Sequence, residues 1–228
     1  MKRLFPLLFL TFSACGHVDY EGVQRGEFSG SLFVMWIGEG DRMGDGEFVY
    51  VPNPRDPLTF TRKAPDGSTQ QIRPQMMYTD GGSIPRAGQF FNGFSPWGYA
   101  PAYMIHDWLF VARHCNLDGT PTEAEAELAG IEFHDSAIII AEAIKTLAET
   151  GRVRRNDVAG AVISSAVAGP ISRKLWNERG ACEGSRVSDA DRAAAQLGIP
   201  GARLRTTLPP LPPGETLPQA RIVGVFEF

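Results

Sequence analysis

Two polar residues stand in an otherwise apolar segment, and they are the first candidates for chemistry. His106 and Asp107 lie within residues 101–112, which read Pro-Ala-Tyr-Met-Ile-His-Asp-Trp-Leu-Phe-Val-Ala. A segment that is apolar nearly all round predicts a central helix. Because burying a carboxylate without a partner is expensive, Asp107 requires a cation, a metal ion or several hydrogen-bond donors. Adjacent helical side chains diverge by about 100°, so we expect the two residues to serve different neighbours.

A second carboxylate is predicted on the apolar face of the next helix. Asp135 follows Ile131 by four residues and precedes Ile139 by four, which places all three on one helix face. A carboxylate hydrogen-bonded to one imidazole nitrogen fixes the tautomer and leaves the other nitrogen free to act as a base. We therefore predict His106 as a catalytic base and Asp135 as the acid that orients it. His134 is a rival base, but it lies nearer the edge of that face.

The third candidate is a glycine-containing loop at residues 79–85, which reads Thr-Asp-Gly-Gly-Ser-Ile-Pro. Gly81 and Gly82, between Asp80 and Ser83, allow backbone amides and carbonyls to turn toward one point. Such a loop can bind an anion through its amides, or Ca²⁺ through carbonyls and the carboxylate of Asp80. The alternative is a tight turn in which Asp80 only caps the backbone.

These side chains also have a purely structural interpretation. A single histidine in an apolar helix is more often a satisfied core residue than a catalyst, and a buried aspartate often only caps a neighbouring loop. His106, Asp107, Asp80 and Asp135 would then form one polar network that stabilises a unique core. The sequence leaves both interpretations open.

The elements that would position these groups predict an α+β domain, in which a small antiparallel β-sheet precedes a bundle of about three main helices. Strands are predicted at residues 31–37, 47–51, 58–62 and 69–73, with a further edge strand at 221–228. Helices are predicted from near Pro101 to Cys115, from a Thr122–Glu125 capping box to Gly151, from residue 156 or 157 to Gly180 with a break at Gly169-Pro170, and at 188–197.

The beginning of the chain has the layout of a secretory signal peptide. A basic start, an apolar run over residues 4–12 and two small residues precede Cys15, which predicts a signal at residues 1–14. The apolar run is far shorter than the roughly 20 residues that span a bilayer. The four residues ending in Cys15, Phe-Ser-Ala-Cys, resemble the bacterial lipobox, in which the cysteine is acylated. The alternative is an ordinary signal peptide that is cleaved elsewhere.

By resemblance to Gram-negative lipoproteins, Gly16 after Cys15 implies the outer membrane, facing the periplasm. A lipid anchor makes the membrane the expected partner, whereas no protein partner can be named. The net charge of −4 and the lack of a basic block argue against nucleic-acid binding. If Cys15 carries lipid, Cys115 and Cys182 remain and can form a disulfide in an exported protein, the alternative being two buried free thiols.

The lipoprotein interpretation divides the chain into four parts. They are a signal peptide at 1–14, a lipid-anchored tether at 15–30, a domain at 31–180, and a C-terminal extension at 181–228 that contains a Pro-rich segment.

Several motifs together resemble the bacterial and phage family known as domain of unknown function 1353. The residues that carry the resemblance are Tyr78 to Pro85, Trp97 to Ala102, His106 to Leu109, Asp135 and Trp176. The resemblance covers roughly residues 27–180, and its central motif is specific. The family's name concedes that its activity is not established.

A looser similarity concerns secreted phospholipases of the A-two type, which also combine a glycine-rich calcium loop with a His-Asp helix. This similarity implies His106 as the base that activates water and Asp135 as its orienting acid. It also implies Asp107 and the loop around Asp80 as ligands of Ca²⁺ or another divalent ion. The resulting expectation is an envelope lipoprotein that hydrolyses a lipid or another envelope substrate. The alternative is a non-catalytic envelope module whose His and Asp residues form a buried network.

Overall fold

The computed structural model describes residues 18–38, 47–79, 98–153, 159–201 and 219–228. Its strands are β1 Glu27–Ser29, β2 Ser31–Gly38, β3 Glu47–Pro52, β4 Thr59–Lys63, β5 Thr69–Ile72, β6 Met77–Thr79 and β7 Arg221–Glu227. Its helices are α1 Ala100–Leu117, α2 Glu123–Ala126, α3 Phe133–Glu149, α4 Ala159–Val167, α5 Pro170–Trp176, α6 Cys182–Ser185 and α7 Asp189–Gly198. The α+β class is therefore confirmed.

The predicted single small sheet and three-helix bundle need correction. The strands form two antiparallel sheets, ordered β1-β4-β5 and β6-β3-β2-β7, and the described ranges contain seven helices. The chain passes from the first sheet to the second at Gly30, whose φ is 80°. A Cβ there would lie 2.3 Å from the carbonyl oxygen of Pro57, so only glycine permits this abrupt change of direction.

Helix α1 lies in the main hydrophobic core, as its apolar sequence predicts. Most of its residues are buried, including Met104, Ile105, Leu109 and Ala112. It packs against α2, α3, α5 and α6, and its two histidines, His106 and His114, are buried.

The capping box is present, but the long helix predicted to start at it begins only at Phe133. Thr122 and Glu125 exchange their reciprocal side-chain to backbone hydrogen bonds, yet α2 ends at Ala126. The chain then makes turns that bring the apolar side chains of Leu128 and Ile131 into the core. The long helix α3 starts only afterwards, because the burial of these side chains outweighs continued helical hydrogen bonding.

The segment expected to be a tether packs against the domain from Val18 onward. Val18 is buried among alanines of α3, and Lys145 donates to the carbonyl oxygens of Glu21 and Val23. Gly26 N–H donates to Thr146 Oγ1 at 2.9 Å, just before β1 begins. These backbone contacts explain why the described part of this segment is ordered against α3.

The C-terminal extension is also part of the fold. Strand β7 pairs with β2 at the edge of the four-stranded sheet, which confirms the predicted edge strand. The Cys115–Cys182 disulfide, also predicted, joins α1 to α6 with a sequence separation of 67. The Pro-rich segment at 209–213 lies outside the described residues. Among the described helices, none has the length and apolar character needed to cross a membrane.

Candidate functional site

His106 lies on α1 with only 7% of its surface exposed. Its Nδ1 is 3.7 Å from Oδ1 of Asp107, so the two side chains lie close together, contrary to our expectation of separate neighbours. This separation is too long for a hydrogen bond. The buried Nε2 has no hydrogen-bond partner among the described residues. His106 therefore combines a nearby carboxylate at one ring nitrogen with unused hydrogen-bonding capacity at the other.

His114, two turns further along the same helix, shows what a satisfied core histidine looks like in this protein. It is as buried as His106. Its Nε2 lies 2.8 Å from the carbonyl oxygen of Leu175, and its Nδ1 lies 3.4 Å from Ser185 Oγ. The missing Nε2 partner of His106 is therefore not a general property of histidines in this core.

Tyr103 carries a second buried and unsatisfied polar atom, which sequence reasoning missed. It lies three residues before His106, on the same helix face, and its hydroxyl has no partner within the described ranges. Burial raises the pKa of Tyr103 well above its usual range, with smaller contributions from Tyr99 and Asp107. Its phenol therefore keeps its proton at neutral pH and can donate a hydrogen bond. Its three-residue spacing from His106 could have indicated that Tyr103 belongs to the site. In the sequence, however, Tyr103 resembles an ordinary core aromatic residue.

The prediction that Asp135 orients His106 is wrong. The carboxylate of Asp135 is bound instead to Arg62 of β4. Arg62 Nη2 donates to Asp135 Oδ1 at 3.0 Å and Nη1 donates to Oδ2 at 3.3 Å. The same guanidinium donates from Nε to Glu142 Oε2 at 2.6 Å and from Nη2 to Oε1 at 3.2 Å. Nη1 also donates to Gln70 at 3.0 Å. All five N–H groups of Arg62 are thereby used.

We call Arg62, Asp135 and Glu142 the buried ion network. Burial disfavours the charged guanidinium, but hydrogen bonds and charges from both acids raise the pKa of Arg62 overall. Burial and the charge of Asp135 raise the pKa of Glu142, although Arg62 opposes this. The network ties β4 to α3, so its observed geometry is structural.

The remaining predicted site residues are partly or fully exposed to solvent, or lie outside the described residues. His134 is exposed on α3. Cys15 and the loop residues Asp80, Gly81, Gly82 and Ser83 lie outside the described residues. The side chain of Asp107 is 36% exposed. The described ranges contain no group of three His, Cys, Asp or Glu residues that could hold a metal ion, so the Ca²⁺ site stays a prediction.

No family model, curated protein or solved structure matches this chain. We call Tyr103, His106 and Asp107 the α1 polar cluster. Chemically, it offers a nitrogen that can accept a proton, a carboxylate that stabilises the resulting positive charge, and a phenol that can donate to an oxyanion.

Proposed function

We propose that this chain is an envelope lipoprotein, anchored through Cys15, whose α+β domain is a hydrolase with His106 as its base. The observation that carries the proposal is the unsatisfied, buried Nε2 of His106, together with the equally unsatisfied hydroxyl of Tyr103 three residues earlier on α1. Each such group costs about 1–3 kcal/mol of stability. A catalytic role is one of the recognised reasons for a native protein to keep one. The satisfied His114 on the same helix supports this distinction.

In the proposed reaction, water attacks the carbonyl carbon of an ester. His106 Nε2 takes a proton from the water as its oxygen bonds to that carbon, and Asp107 stabilises the imidazolium that forms. The phenol of Tyr103 donates to the developing oxyanion. The carbon–oxygen bond to the leaving alcohol then breaks, and His106 returns the proton to that oxygen. Because Nε2 is buried, side chains around it must move when substrate binds.

General-base catalysis contributes about 10²–10⁴-fold to such reactions, and one oxyanion donor contributes about 10²–10³-fold. We further propose a lipid or other envelope ester as the substrate class, because the anchor would hold α1 near a bilayer. The proposed ligands for Ca²⁺ or another divalent ion are Asp107 and the loop around Asp80. The similarity to the unknown-function family 1353 stays part of this proposal.

The test is hydrolysis by the form that starts at Gly16. Purified protein is assayed on p-nitrophenyl butyrate and on phosphatidylglycerol vesicles, with Ca²⁺ and with EDTA. We expect His106→Gln to lower kcat by at least about 100-fold. The matched control His134→Gln alters an exposed histidine and should retain wild-type kcat. Failure of the wild type to hydrolyse either substrate, or full activity of His106→Gln, would contradict the proposal.

A second candidate is a non-catalytic envelope module in which these residues stabilise the core. The buried ion network favours it, because Asp135 is bound to Arg62 at 3.0 Å and is not available to orient a base. This function predicts no hydrolysis by the wild type. It also predicts that His106→Gln lowers the melting temperature by several degrees, whereas His134→Gln does not.

A further inference from the structure

A groove of about 690 Å³ lies between β1, β4 and the C-terminal end of α3. Its lining includes the basic side chains of Arg25, Lys63 and Arg152 and the aromatic rings of Phe28 and Phe228. We call it the basic groove. It contains none of the α1 polar cluster, so its function is independent of the one proposed for His106.

The three exposed cations of the basic groove have no carboxylate partner in the described part of the chain. Lys63 Nζ donates to the hydroxyl of Thr69 at 2.8 Å, and Arg152 Nη1 donates to the carbonyl oxygen of Glu227 at 2.8 Å. Arg25 has no hydrogen bond or ion pair with any described residue. Arg62 also lines the groove, but its guanidinium is already paired with the two carboxylates of the buried ion network.

The strand register concentrates positive charge at one end of the groove. Glu27 of β1 lies opposite Thr61 of β4 in an antiparallel pair. Two residues further, Arg25 and Lys63 therefore reach the same end. Arg25 precedes β1 and is not strand-paired with Lys63, but like charges at one end of a groove repel each other, and an anion between them removes that repulsion. Glu27 is the one acidic side chain among the described lining residues, so the basic side chains outnumber it in a chain whose net charge is −4.

The remaining lining residues can contact an apolar part of a ligand as well as its charged group. The rings of Phe28 and Phe228 stack with centroids 4.8 Å apart, and Arg152 lies 5.2 Å from the centroid of Phe228. They form an apolar wall beside the cations. Arginine guanidinium groups pair well with phosphate oxygens, and the groove volume exceeds that of one phosphate.

From this arrangement we propose that the basic groove binds a phosphate group. Its source is either free phosphate or the phosphate ester of a lipid headgroup. Arg25 and Lys63 neutralise the phosphate, and Arg152 approaches it from the end of α3. The aromatic wall contacts whatever apolar part the ester carries.

The experiment measures binding of inorganic phosphate by calorimetry and of phosphatidylglycerol vesicles by co-sedimentation, with phosphatidylcholine vesicles as a neutral comparison. The protein is the soluble form without lipid. We expect the double variant Arg25→Gln/Lys63→Gln to bind at least about tenfold more weakly, because two of three cations are lost. The control Lys174→Gln/Arg179→Gln makes the same change in net charge at exposed positions outside the groove.

Phosphate binding without vesicle binding identifies a soluble source, and selective binding to the anionic vesicles identifies a headgroup. Both results support the proposal if only the groove variant loses affinity. All four substituted residues are exposed, so both variants should keep wild-type melting temperatures. Absence of binding to both probes, or equal weakening by the control, would overturn it.

Discussion

Replacing Arg62 by methionine removes the cation that holds two carboxylates between β4 and α3. The side chain of Arg62 is 2% exposed, and those of Glu142 and Asp135 are 8% and 18% exposed. Methionine fills a similar volume but donates no hydrogen bond. The substitution therefore leaves the two acids close together without their common partner.

Removing one partner from a buried ion pair costs about 3–5 kcal/mol. For a protein of this size, each kcal/mol corresponds to about 2–4 °C, so we expect the melting temperature to fall by about 6–20 °C. The loss should shrink as the pH falls. Burial already raises the pKa of Glu142, together with the charge of Asp135, and loss of Arg62 raises it further. A raised carboxyl pKa stabilises the folded state at low pH, and this contribution is lost as the pH rises through the folded-state pKa.

The assay is urea unfolding followed by circular dichroism at pH 7 and at pH 4.5. Arg55→Met is the matched control, because Arg55 is exposed and makes one weak contact to Gly201. The double variant Arg62→Met/Glu142→Leu should recover most of the lost stability, because it removes the more deeply buried acid as well. A cost below about 1 kcal/mol for Arg62→Met, or a cost that grows as the pH falls, would refute this reasoning.

Three further predictions concern other parts of the domain. Replacing Cys115 and Cys182 by serine should cost about 4 kcal/mol, from the loop of 67 residues that their disulfide closes; an unchanged urea midpoint would contradict this. Burial opposes ionisation of Glu125, but its hydrogen bond from Arg186 lowers the pKa overall. Glu125→Gln should therefore lose about 1–3 kcal/mol at pH 7, and the difference from wild type should vanish as the pH falls through the folded-state pKa; an equal loss at both ends of a pH series would contradict it. Ser188→Ala removes the N-cap hydrogen bond of α7 and should lower stability by about 1 kcal/mol in thermal unfolding, whereas a gain in stability would be inconsistent with the cap.

Features that depend on neighbouring residues were predictable from the sequence. The strand predicted at 31–37 and the apolar helix α1 appear in the structure close to the expected residues. The Thr122–Glu125 capping box forms as predicted, and the helix predicted at 188–197 is present, with Ser188 as its N-cap. These predictions are confirmed because the hydrogen bonds and buried faces on which they depend involve residues only a few positions apart in the chain.

The partners of the polar side chains depend on tertiary structure and were not predictable in the same way. Arg62 is separated by 73 residues from Asp135 and by 80 from Glu142. Nothing local distinguishes it from an exposed strand arginine. Tyr103 was missed for a related reason, since an aromatic residue in an apolar helix gives no sign of whether its hydroxyl has a partner.

The central claim is that His106 is kept buried and unsatisfied for function, and the free energy of unfolding of His106→Leu tests it most directly. Replacing an unsatisfied polar group by an apolar one of similar shape is nearly neutral or stabilising. We therefore predict that His106→Leu unfolds at the same or a higher urea concentration than wild type and has lost ester hydrolysis. A loss of several kcal/mol would contradict the claim and identify His106 as a structural residue of the core.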